Sequence, residues 1–187
     1  IIFIALPSQS VREVLSKSYF HNIEADIIIA SKGIEISSSM FLSNLVESLI
    51  KPKSLSVMSG PCFSDEVAQD LPTAATFASS NTAIFDTISG MLKSKKFRIY
   101  YSDDLIGCQI GGALKNIYAI AAGISDGLNL GENARSALIT RSFVEISRFA
   151  IFFKSKKETL FGLSGLGDLM LTLSLIHISE PTRLGFI

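Results

Sequence analysis

Asp104-Leu105-Ile106-Gly107-Cys108-Gln109-Ile110-Gly111-Gly112-Ala113-Leu114-Lys115-Asn116-Ile117-Tyr118-Ala119-Ile120-Ala121-Ala122-Gly123 divides this chain into two unlike parts. It reads as a long helix, and from Asp103 onward no strand pattern returns. Before it, short aliphatic runs alternate with helical segments. Ile106, Ile110, Ala113, Ile117, Ile120 and Ile124 recur at helical spacing and predict one buried stripe. Lys115 shares the other face with Cys108, Gly111, Gly112, Ala119 and Ala122. Adjacent glycines cost a helix roughly 1 kcal/mol each relative to alanine, so close approach of a backbone or a ligand is expected to offset them. The competing reading is an ordinary helix–helix contact with the lysine stem snorkelling outward.

Working outward toward the start, Ile1 to Leu6 reads as a buried strand stopped by Pro7, with Ser8 as cap of a helix carrying Val11, Val14 and Leu15. Asp26 to Ala30 is a second strand, Met40 to Ile50 an amphipathic helix, and Leu55 to Met58 a third strand. A short helix near Asp65 to Ala68 precedes candidate strands Thr73 to Ala78 and Phe97 to Tyr101, which flank a helix from Thr82 to Lys93. This alternation predicts an open parallel α/β sheet over residues 1–102. Ligands in such sheets sit outside the carboxyl ends of the strands, so Pro7-Ser8-Gln9, Ser31-Lys32-Gly33 and Ser59-Gly60-Pro61-Cys62 are the loops to inspect. Each is also ordinary turn chemistry.

Working outward toward the end, Asn133 to Phe153 and a segment beginning near Asp168 complete an all-helical part, residues 103–174. Gly162-Leu163-Ser164-Gly165-Leu166-Gly167 reads as a glycine-rich loop with Asp168 as the helix cap. Its spacing is not that of a phosphate cradle, and no Gly-x-Gly-x-x-Gly follows a first strand.

Composition narrows the class. Nearly half of the 187 residues are hydrophobic, enough for a sizeable core, and 17 basic residues balance 17 acidic ones. That balance gives no footprint for nucleic acid. Cys62 and Cys108 stand far apart, and His21 and His177 are equally isolated, so neither a metal site nor a disulfide is expected. No apolar run is read as a membrane span, and a reduced, cytoplasmic enzyme is expected.

Gly112-Ala113-Leu114-Lys115-Asn116, Ala121 to Leu128 and Gly131-Glu132-Asn133-Ala134-Arg135 closely resemble the bacterial type of NAD(P)-dependent glycerol-3-phosphate dehydrogenase. Ala30 to Glu35, Ser59-Gly60-Pro61, Leu71 to Ala74, Tyr101 to Asp104 and Gly162 to Leu171 carry the same resemblance in order. It implies a partial Rossmann-type sheet followed by a partial helical substrate domain. It also implies NAD or NADP as cofactor, and dihydroxyacetone phosphate or sn-glycerol 3-phosphate as substrate.

The resemblance makes Lys115 the acid/base, with its motif neighbour Asn116 beside substrate. It makes Lys32 a contact of both substrate and cofactor, and Gly60 and Asp168 substrate contacts. The family usually carries Ser or Thr at Cys62, and a thiol is a weaker hydrogen-bonding partner than a hydroxyl. Ser64 falls on a family alanine beside the cofactor, a contact that a backbone group can make.

The ends depart from the family. The pyrophosphate fingerprint and the first strands would precede Ile1, and the Ser-Arg-Asn segment for the substrate phosphate is replaced after Ser174. Residues 175–187 resemble a translated sequencing adapter and are expected to be a non-native tail, so Arg183 receives no role. The polypeptide by itself is therefore also expected to be inactive. A related dehydrogenase of the 6-phosphogluconate type is the alternative enzyme reading, which GALKN and SDG-GENAR disfavour. NAD against NADP preference and a homodimeric state are left open by the sequence.

Overall fold

The computed structural model describes residues 1–17, 20 and 23–174. His21, His177 and the expected non-native tail lie outside them. Five strands form one sheet in sequential order: β1 (Ile2–Ile4), β2 (Asp26–Ile29), β3 (Ser54–Ser59), β4 (Thr73–Ser79) and β5 (Phe97–Ser102). The aliphatic runs became strands because both sheet faces are covered. Ile27 and Ile29 pack with Val11, Leu15, Leu45 and Val46 from helices α1 (Val11–Leu15) and α2 (Leu42–Leu49). Ile28, between them, points the other way and packs with Phe77, Ile84 and Ile88, the last two from α4 (Thr82–Leu92).

The sheet is mostly parallel, with one exception that departs from the expected all-parallel order. β3 and β4 pair antiparallel, Ser59 opposite Thr76, whereas β1–β2, β2–β3 and β4–β5 are parallel. The helix between β3 and β4, α3 (Ser64–Ala68), is exposed and has five residues. At about 1.5 Å per residue it is too short to carry the chain back along a six-residue strand, so β4 returns beside β3 in the opposite sense.

After β5, no strand follows among the described residues. The long helix α5 (Leu105–Gly127) is joined by α6 (Glu132–Phe152), α7 (Lys157–Phe161) and α8 (Asp168–Ser174). Asp104 caps α5 through its side chain, accepting from the Gly107 amide at 2.8 Å, and also accepts from the Lys156 amide at 2.7 Å. One carboxylate thus ties the start of α5 to the start of α7. Gln109 does the same between α5 and α2: its amide bonds the Ser43 hydroxyl and backbone amide. Ile110, Ile146, Ala150, Leu160, Leu169 and Leu173 form the helical core.

Four local expectations are corrected. The isoleucine stripe of α5 is not buried along its length, since Ile117, Ile120 and Ile124 are more than half exposed. The small-residue face is the one packed inside, with Cys108, Gly111, Gly112 and Ala122 buried. Ser8 does not cap α1: residues Ser8–Ser10 form a 3₁₀ turn, and Ser10 occupies the cap position. Gly162–Gly167 is no open loop either, because Leu163–Gly167 closes a π-helical turn running directly into α8. The fourth correction concerns membranes. By length and composition α5 is apolar enough to cross one, a property that the core helices of other folds share. In this fold its small face is spent on protein contacts instead.

Candidate active site

Asp168 organises the site. It stands at the end of the π-helical turn, is 1% exposed, and presents both carboxylate oxygens to lysines rather than capping α8. Lys32 Nζ, from the loop after β2, lies 2.5 Å from Oδ2, and Lys115 Nζ, from α5, lies 2.7 Å from Oδ1. Lys32 also donates to the Gly60 carbonyl at 3.0 Å, in the loop after β3. Sheet, long helix and π-helical turn therefore meet on one carboxylate.

The two glycines of α5 make that meeting sterically feasible. A Cβ on Gly111 would collide with the Ser164 carbonyl of the π-helical turn. One on Gly112 would press at 3.1 Å on the Lys32 stem. Gly111 thus brings the turn bearing Asp168 onto α5, and Gly112 lets Lys32 cross α5 toward Lys115, which lies on the same helix face. Close approach is what offsets the helix cost of the pair.

Two cations on one carboxylate leave net positive charge in a half-buried setting. Burial pushes the Lys32 ammonium below its ordinary value, and the pull of Asp168 in the other direction does not cancel this. Burial likewise pushes the Cys62 thiol up, opposed by Lys32. Cys62 is thus kept as a thiol, 3.6 Å from the Ala74 carbonyl, a weak contact. Among the remaining candidates, Gly60 joins the cluster through its carbonyl, whereas Asn116 and Ser64 are exposed. Ser64 opens α3, with its hydroxyl turned to Asp65 at 3.4 Å.

Two residues of this region stand in motifs quoted above, yet the sequence gives neither a role. Ser59 is 5% exposed and its hydroxyl has no hydrogen-bond partner; it faces Gly112 beside Lys32. Glu35 is buried against Arg12. Glu35 lies inside the Ala30 to Glu35 motif, the one signal that could have marked it. A cavity of about 650 Å³ lined by Tyr100, Tyr101, Asp103, Lys156 and Ser164 lies apart, and none of Lys32, Lys115 or Asp168 lines it. No group of three or more metal-ligating side chains occurs among the described residues, and both cysteines are free.

A nicotinamide cofactor can be tested against this donor set. The partly exposed Lys32 ammonium is a donor that suits the carboxamide of the reduced, uncharged nicotinamide, and the Asp168 carboxylate beside it offsets part of the charge that an oxidised, cationic ring would meet. The residues present therefore fit the reactive end of such a cofactor.

The chain is similar to known proteins over most of its length. Residues 1–85 match the model of the NAD-dependent glycerol-3-phosphate dehydrogenase N-terminus, and residues 104–178 that of its C-terminus. The glycerol-3-phosphate dehydrogenase [NAD(P)+] of Nitrosococcus oceani is 46% identical over 173 residues, 91% of this chain and 50% of that protein. The enzyme of the same name from Zymomonas mobilis is 44% identical over 173 residues, 92% of this chain and 50% of the relative. The crystal structure of glycerol-3-phosphate dehydrogenase from Coxiella burnetii superposes with a TM-score of 0.86 at 42% identity, covering 92% of this chain and 53% of that one. The chain thus spans about half the length of these relatives. It belongs to the NAD-dependent glycerol-3-phosphate dehydrogenase family.

Proposed function

We propose that the enzyme containing this chain reversibly reduces dihydroxyacetone phosphate to sn-glycerol 3-phosphate with NADH or NADPH, in the cytoplasm, supplying phospholipid synthesis. The observation that carries the reading is the buried Asp168 carboxylate shared by Lys32 and Lys115. A nicotinamide held beside Lys32 would supply the hydride that C2 receives. This chain's residues then manage the charge that follows. Negative charge builds on the C2 oxygen, and the Lys115 ammonium stabilises it and donates a proton to it. Asp168 holds Lys115 in place beforehand and accepts from the substrate hydroxyl. Lys32 orients the anionic substrate and borders the cofactor, while Gly60, Cys62 and Asn116 flank the substrate. Ser64 approaches the cofactor through its backbone.

The same reading divides the chain into residues 1–102, the partial cofactor domain, and 103–174, the partial substrate domain. The clean end of strand structure at Ser102 supports that boundary. The test uses the longest open reading frame containing this sequence. Substrate-dependent NADH oxidation is expected, and Lys115→Ala should lower it about 10²- to 10⁴-fold with little change in melting temperature. Near-normal turnover in that variant overturns the assignment.

A further inference from the structure

The loop carrying Lys32 is fastened on both sides to the segment that follows β1. On the near side, the Ser31 hydroxyl accepts from the Leu6 amide at 2.9 Å and donates to the Leu6 carbonyl at 2.6 Å. On the far side, Gln9 spans the loop: its Nε2 donates to the Ile34 carbonyl at 2.8 Å and its Oε1 accepts from the Ile36 amide at 2.9 Å. Next to it, Arg12 grips Glu35 with two parallel bonds, Nε to Oε1 at 2.5 Å and Nη2 to Oε2 at 2.7 Å. The Ser38 hydroxyl donates to the same carboxylate. Glu35 is 3% exposed.

A buried carboxylate is retained at a cost unless its partners are arranged around it. Here they are arranged so that the fork of Arg12 fixes direction as well as distance. Glu35 sits three residues beyond Lys32 in the same loop, where Gln9 holds the Ile34 carbonyl and the Ile36 amide on either side of it. The Lys32 stem meanwhile lies so close over Gly112 that a Cβ there would stand 3.1 Å from it, so the stem is packed against α5 rather than free beside it.

We propose that Glu35, held by Arg12 while Gln9 pins the backbone on either side of it, is a positioning residue for Lys32, keeping its ammonium on Asp168 and the Gly60 carbonyl. The proposal rests on the reading of Lys32 as the substrate-orienting lysine, and it makes no contact between Glu35 and substrate. It assigns a role to the last residue of the Ala30 to Glu35 motif, which the reaction itself leaves unused.

Two measurements test it. The first needs no turnover: the chain is labelled with acetic anhydride over a series of alkaline pH values, and modification of Lys32 is read by mass spectrometry against exposed Lys93. The limiting rate at high pH reports access alone. Glu35→Gln and Arg12→Gln should each raise that rate for Lys32 about threefold or more, with Lys115 unchanged, because each leaves a polar partner without its mate. Folded variants that label at the original rate overturn the proposal. Gln9→Ala, in an exposed setting, should raise it about twofold; this variant decides the matter if the ion-pair variants do not fold, and an unchanged rate overturns it. The second measurement uses the active enzyme, where Glu35→Gln should raise KM for dihydroxyacetone phosphate about tenfold with kcat within about twofold. An unchanged KM overturns the proposal. An enzyme that does not reduce dihydroxyacetone phosphate at all, with Lys32 released as expected, overturns the proposed function and leaves the positioning role standing.

Discussion

The two faces of α5 exchange the roles that their side chains suggest. Ile117, Ile120 and Ile124 offer large apolar surface and stay more than half exposed, whereas the face of Gly111, Gly112 and Ala122 is buried. Apolar area is the usual driver of burial, at about 25 cal/mol per Å². On α5 backbone proximity overrides it, because the π-helical turn and the Lys32 stem fit only where side chains are missing. Burial by fit and burial by hydrophobicity need not select the same face.

The contrast can be broken most forcefully at Gly111. Gly111→Ala places a methyl group on the Ser164 carbonyl, backbone that cannot rotate aside, and should cost about 2 to 3 kcal/mol in denaturant titrations while forcing Asp168 away from both lysines. Loss of less than about 0.5 kcal/mol would mean that the turn is not seated on α5.

A smaller effect is expected in acid, away from α5. The Arg12 guanidinium first, and the Ser38 hydroxyl after it, hold the Glu35 carboxyl down to about 2, below its ordinary 4.5. The unfolded chain therefore binds this proton at higher pH than the folded one. The stabilisation is complete above about pH 4.5 and is lost as pH falls toward 2. Melting temperature should decline across that window, and Glu35→Gln should flatten the decline; equal slopes in the two proteins would contradict it.

The smallest effect belongs to the isoleucine face. Ile120→Gln in this chain should shift stability by no more than about 0.5 kcal/mol, measured by thermal melting. If the same substitution costs several times more in a longer reading frame, further structure covers the stripe there.

Much of the fold was legible beforehand because its signals are local. Strands β1 to β3 follow from short aliphatic runs, β4 and β5 from short runs bearing Thr, Phe, Ile and Tyr, and these segments lie within a few residues of expectation, whereas the five-residue α7 is too short to show a helical period and was not anticipated. The antiparallel return of β4 was not legible, since it depends on the length of α3 relative to the strand beside it. Within the site, Lys115, Lys32, Gly60 and Asp168 were named from motifs, yet no spacing in the chain says that one carboxylate would hold both lysines. Lys32 and Asp168 are 136 residues apart in sequence. Ser59 and Glu35 stood inside quoted motifs without a role for the same reason, as an unpartnered hydroxyl and a buried carboxylate are defined by their surroundings alone.

By itself the sequence determined which segments become strands and helices, the family to which they belong, and the residue types available for chemistry. Those properties depend on neighbours a few positions away. Tertiary structure alone decided which face of α5 is buried, that Asp168 serves two ammoniums instead of a helix end, and that Glu35 grips the loop behind Lys32. Each depends on how closely two backbones can approach, and that distance is set by every packed element at once.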